Sequence, residues 1–153
     1  MILAAMLSLT PSAFAAEPPT TLPPTELLAR YDAVRIALNT DQLDDARSRA
    51  RELAAVDAGD LPVAGAASTI ALSPDINAAR IAFSELSRAF VLELAETQKP
   101  PRVSVYFCPM WSGYAWWVQP KAGLANPYMG QAMSDCGEEI SLKAAAKAAK
   151  APA

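Results

Sequence analysis

Histidine is absent from all 153 residues, and that single gap removes whole classes of chemistry. Without imidazole there is no Ser-His-Asp or Cys-His catalytic arrangement, no two-His zinc motif and no haem held by an axial His. Cysteine is scarce: the 2 in the chain are Cys108 and Cys136, so a Cys-x-x-Cys redox motif is missing as well. Basic charge is thin, since 13 Lys and Arg, scattered rather than clustered, leave a net charge of -3 and no electrostatic footprint for nucleic acid. Gly113, Gly123 and Gly130 form no phosphate-binding pattern, and no carboxylate pair has a context for acid–base work. Asp135, Glu138 and Glu139 surround Cys136 with negative charge, which disfavours a thiolate nucleophile. The chain is therefore expected not to be an enzyme.

Long apolar runs are lacking too. Met1 to Leu9 is apolar, but a spanning helix needs roughly 20 such residues. Behind it, Ala13 and Ala15 in Pro11-Ser12-Ala13-Phe14-Ala15-Ala16 give the small-x-small pattern that signal peptidase reads. Together these features predict a cleaved signal peptide over residues 1–15 and a periplasmic location, although a basic n-region is missing. Residues 16–24 are proline-rich and read as an extended leader, with a single domain over 25–140 and an Ala/Lys tail without tertiary role over 141–153.

Within the domain the apolar period is helical at first. Thr25 is placed to cap a helix in which Leu27, Tyr31, Val34 and Leu38 share a face, and Asn39-Thr40-Asp41 breaks it and caps a second. Asp44 and Asp45 then precede Arg47, Arg49 and Arg51, an order that suits the helix macrodipole. A turn and a short helix are expected up to Leu72. Ser73-Pro74-Asp75 opens a longer helix whose stripe is Ile76, Ala79, Phe83, Leu86, Phe90 and Leu94, closed by Pro100-Pro101. Arg80 and Arg88 lie off this stripe and are expected to be solvated or paired with Glu85. Val103, Val105 and Phe107 alternate with polar neighbours, and Ala115 to Gln119 is rich in residues favoured in strands, which predicts a β-hairpin turning at Ser112-Gly113. Beyond Pro120 glycines and prolines punctuate the chain, with one helical turn at Gly130 to Met133 and an Asn126-Pro127 turn. The predicted fold is mainly α: a bundle of three to four helices with a short β-hairpin and an irregular cap bearing Cys and Met.

That cap is what stands out. Both cysteines and three of the five methionines fall in two clusters, Phe107-Cys108-Pro109-Met110 and Asn126 to Glu138, and thiolate and thioether are the ligands that select soft metals such as Cu(I). Two cysteines in an exported domain also suit a Cys108–Cys136 disulfide, which would stabilise the fold by roughly 3 to 4 kcal/mol on the chain-entropy model. The residues leave both readings open. Trp111 beside Met110 could face a bound cation, though tryptophan here is most often packing.

A resemblance bears on the choice. Arg80-x-x-Phe83-x-x-Leu86-Ser87, Cys108-Pro109-Met110, Trp117-x-Gln119 and Asn126-Pro127-Tyr128-x-Gly130-x-x-Met133-x-x-Cys136-Gly137-Glu138 follow one another in that order. This pattern resembles a small periplasmic domain of unknown function, found alone or at the C-terminus of Cus-type heavy-metal efflux adaptors. The likeness covers about residues 25–140 and is strongest from Ile76 onward. It implies a helical domain closed by a Cys/Met loop that binds copper or a related metal, with Cys108, Met110, Met133 and Cys136 as metal ligands and Met129 and Trp111 as weaker candidates. It also implies a metal-efflux adaptor or another envelope protein as partner. The alternative function is a disulfide-stabilised module docking on such a partner. Many relatives carry histidine where this chain has none, which disfavours Cu(II) and Zn(II) sites here.

Overall fold

The computed structural model describes residues 23–56 and 62–151. The predicted signal peptide, most of the leader and the turn before the third helix lie outside the described residues. The fold is mainly α: α1 (Pro24–Asn39), α2 (Leu43–Ala54), α3 (Val63–Ala71), α4 (Ile76–Glu96) and α5 (Leu142–Ala149), with β1 (Ser104–Phe107), β2 (Trp116–Gln119) and β3 (Glu138–Ile140). Among the described residues no helix is long and apolar enough to cross a membrane.

Helix starts follow local chemistry, with two corrections to the expected caps. Thr25 does not cap α1, because the helix already begins at Pro24, whose fixed φ is preorganised for a first turn and whose missing N–H would be unpaired there anyway. Asp41 does not cap α2 either. Its backbone sits in the left-handed region at φ 58, the N-cap is Gln42, and the Asp41 carboxylate is engaged elsewhere. At α4 the cap is Asp75, whose side chain accepts from the Ala78 N–H at 2.8 Å.

Consecutive helices pack on one another along the chain, and the sheet lies against α4 through β2. The predicted stripe of α4 supplies the centre: Ala79, Phe83, Leu86, Phe90 and Leu94 are buried. Tyr31 of α1 meets them, stacked on Phe90 with centroids 4.4 Å apart and tilted on Phe83 at 5.3 Å. Its hydroxyl shares a 2.6 Å hydrogen bond with Ser87 and accepts the Val118 N–H at 3.4 Å, so one side chain joins α1, α4 and β2. Burial pushes the Tyr31 phenol well above its ordinary value, so it stays neutral in the core.

The hairpin forms as predicted, β1 and β2 being antiparallel with Val105 opposite Val118 and Phe107 opposite Trp116. Two features of the last third differ from expectation. Glu138–Ile140 is a third strand on the other side of β1, with Phe107 opposite Glu138, giving the order β2-β1-β3. Its glutamates hide the strand in the sequence, yet a short charged strand is what an exposed sheet edge favours. Nor is 141–153 without tertiary role. The Ser141 side chain caps α5, alanine favours helix, and Ala145, Ala146 and Ala149 are buried as α5 packs on α4. Arg88, expected in solvent or beside Glu85, instead donates to the carbonyls of Ala149 and Ala151 at 2.7 and 2.8 Å.

Tyr31→Phe keeps the stacked ring and removes the hydroxyl, leaving Ser87 buried without that partner. Urea unfolding is expected to show a loss of roughly 1 to 3 kcal/mol with an unchanged m value. A loss below about 0.5 kcal/mol would mean that the hydroxyl does not hold the three elements together.

Candidate functional site

The two cysteines flank the central strand. Cys108 directly follows β1, is fully buried, and donates its N–H to the Ala115 carbonyl at 3.0 Å, continuing the hairpin ladder by one residue. Its carbonyl accepts the Trp111 N–H at 3.4 Å, which turns the chain through Pro109 and Met110. Cys136 stands two residues before β3 and is half-buried. Its N–H bonds the Met133 carbonyl at 3.1 Å, and its own carbonyl accepts from the Asn126 side chain at 2.7 Å.

Gly137 lets these two segments close. Its φ is 146, and a Cβ placed there would lie 2.9 Å from the Phe107 carbonyl oxygen and 3.1 Å from both Leu124 and Trp117. Only a residue without a side chain passes so near β1. The consequence is that Cys136 meets Cys108. Partial desolvation raises the Cys136 thiol above its ordinary pKa, and the charge and hydrogen bond of Cys108 and the charge of Asp135 add to that shift. Both cysteines are free thiols.

The structure thus brings Cys108 and Cys136 together, and treats the other candidates unequally. Met110 and Met133 belong to the same two turns as the thiols, but their side chains project outward, 64% and 38% exposed. Met129 is half-buried against the core. Trp111 stacks on the buried Tyr128 ring at 5.1 Å, so its ring is held by packing, and its buried indole N–H has no partner among the described residues. The available donor set is therefore two thiols, with the thioethers of Met110 and Met133 exposed in the turns that carry them. Among the described residues no three His, Cys, Asp or Glu side chains gather into a cluster able to hold a metal. Thiols are ligands of the type that soft cations prefer.

What fixes the Met133–Cys136 segment was not foreseen in the sequence. Arg80 of α4 points into the fold, where its Nε donates to the Pro127 carbonyl at 2.9 Å and its Nη2 to the Leu38 carbonyl at 3.0 Å and the Asp41 carboxylate at 2.5 Å. The other Asp41 oxygen accepts the Gln131 N–H at 3.0 Å. Asn39 donates to the Asn126 carbonyl and the Ser134 hydroxyl at 3.0 and 2.8 Å. Within the loop, Asn126 is buried and its side-chain oxygen accepts the N–H groups of Tyr128 and Met129. The α1–α2 turn, α4 and the loop are tied at one point. Gly130 sits inside the knot at φ 62, where any Cβ would collide with Asp41 and Arg80. The one sequence signal was position: Arg80 immediately follows Ala79 of the apolar stripe, at the edge of the buried face.

No family model, curated protein or solved structure matches the chain.

Burial raises the Asp41 carboxyl, but the Gln131 N–H and the Arg80 guanidinium outweigh it, so its pKa lies below the ordinary carboxylate value. A depressed carboxyl contributes stability above its unfolded value and loses it as pH falls through the folded one. Asp41→Asn is therefore expected to flatten the acid limb of the stability profile below about pH 4. Arg80→Ala is expected to cost roughly 1.5 to 3 kcal/mol at neutral pH, from the charged hydrogen bonds lost. Wild-type stability in Arg80→Ala would show that the knot is not needed.

Proposed function

We propose that the chain is an exported, non-enzymatic protein that binds a soft metal ion, Cu(I), through the thiols of Cys108 and Cys136, in metal tolerance or trafficking. The observation that carries this reading is the meeting of the two thiols beside β1, one buried and one reaching the surface. Thiolates select soft cations, and the chain has no imidazole to favour harder ones. Burial of Cys108 shields one side of the pair from water, so an ion enters from the Cys136 side. Met110 and Met133, flexible and exposed in the adjoining turns, are the thioethers available to complete coordination. The resemblance to the domain appended to Cus-type adaptors supports a metal-efflux adaptor as the partner that delivers or receives the ion.

A second reading rests on the same proximity. Two adjoining thiols can pass two electrons and two protons to a disulfide acceptor, forming one S–S bond and two acceptor thiols. The bridged chain would then be a docking module for an envelope protein, with its sulfurs closed to metal.

Competition against a Cu(I) chelator separates these readings. The reduced protein is expected to take up one Cu(I), with affinity rising as pH increases because both thiols must release protons, and the raised Cys136 pKa shifts that rise toward alkaline pH. Cys108→Ser and Cys136→Ser should each abolish stoichiometric binding. Met133→Ala should weaken it by less and leave the helical circular dichroism intact. Unchanged affinity in the double serine variant would overturn the metal reading, and absence of free thiols in protein isolated without reductant would favour the bridge.

A further inference from the structure

The basic face of α5 carries a second proposal, independent of the thiols. Lys143, Lys147 and Lys150 follow one another at helical spacing and line a groove of about 450 Å³ whose floor is Ala95, Leu142 and Ala146. A lysine near a helix C-terminus often serves the helix itself, by neutralising the last carbonyls. Here Arg88 reaches across from α4 to do so through the carbonyls of Ala149 and Ala151. Among the described residues the sole ion pair of the three lysines is Lys150 with Glu96, at 3.9 Å between side chains 64% and 72% exposed. Three cations thus border an apolar floor in a protein whose net charge is -3.

From this we infer that the groove is a docking surface for an extended acidic segment of a partner protein. Along the helix axis the lysines are separated by ~6 Å and then ~4.5 Å, and their long side chains span the difference from a wider repeat. Side chains on one face of an extended chain repeat every ~7 Å, so alternate carboxylates meet successive lysines while the intervening apolar residues turn to the floor. An anionic bilayer fits less well. The apolar residues of α5 pack on α4 or lie at the floor of the groove between the lysines, so the helix has no projecting apolar face to insert. Three lysines alone give an association constant on the order of 10² M⁻¹ at an anionic surface, far below even the marginal ~10⁴ M⁻¹ of one acyl chain.

The probe is a fluorescein-labelled peptide of alternating glutamate and leucine, followed by anisotropy with the full chain. Binding is expected to weaken at least about tenfold as salt rises from about 0.01 M to about 1 M and the Debye length contracts from roughly 30 to roughly 3 Å. Lys143→Gln, Lys147→Gln and Lys150→Gln combined should lose about tenfold or more at low salt, since glutamine keeps the helix but not the charge. The corresponding triple arginine variant should bind like wild type. Equal binding by the glutamine variant, equal binding of a glutamine–leucine peptide, or preference for phosphatidylserine vesicles over the acidic peptide would each overturn the proposal.

Discussion

The guanidinium of Arg80 is the constraint on which the rest of the cap depends. It spans from the long helix α4 to the Leu38 carbonyl at the end of α1, to Asp41 in the turn that follows and to Pro127 in the loop. The aromatic contacts of Tyr31 and Tyr128 join the same pieces through the core, and the guanidinium fixes them at their polar edge. Asp41 accepts a left-handed backbone to present both carboxylate oxygens, one to Arg80 and one to the Gln131 N–H. Gly130 has no side chain because the guanidinium and carboxylate occupy that space. With the 3-10 turn at Gly130–Met133 held in this way, the next residues reach the strand edge in a fixed register.

A second set of interactions converts that register into a thiol pair. Asn126 binds the Cys136 carbonyl on one side and the Tyr128 and Met129 N–H groups on the other, so the loop is braced from inside. Tyr128 in turn donates to the Trp116 carbonyl at 2.8 Å and contacts the rings of Phe83, Trp111 and Trp117. Through it the helical core, the hairpin and the cysteine turn share one aromatic cluster. The position of Cys108 is thereby inherited from the core, and that of Cys136 from the knot. Such preorganisation keeps two thiols adjacent without a covalent bond, as the proposed soft-metal site requires.

Much of this was readable from the sequence, and the limits have physical causes. Helical periodicity located α1, α2 and α4, and alternation located the hairpin, because each of these elements buries a contiguous face. The strand at Glu138–Ile140 was hidden because an edge strand of glutamates carries no apolar alternation. Helix α5 was hidden because its buried face is made of alanine, which compositional reading cannot distinguish from an unpacked tail. At the site, the sulfur residues announced themselves by type. Arg80, Asp41 and Asn39 did not, since polar side chains that bind distant backbone carbonyls look in sequence like any solvated surface.

The central claim is that Cys108 and Cys136 act together as the ligands of one Cu(I). X-ray absorption at the copper edge of the reduced protein loaded with one equivalent tests it most directly. The account predicts a shell of sulfur scatterers alone, at least two of them, near 2.3 Å, about the length of metal–thiolate bonds, and loss of that shell in Cys136→Ser, which no longer retains the ion. A first shell containing nitrogen or oxygen, or one unchanged in Cys136→Ser, would contradict it.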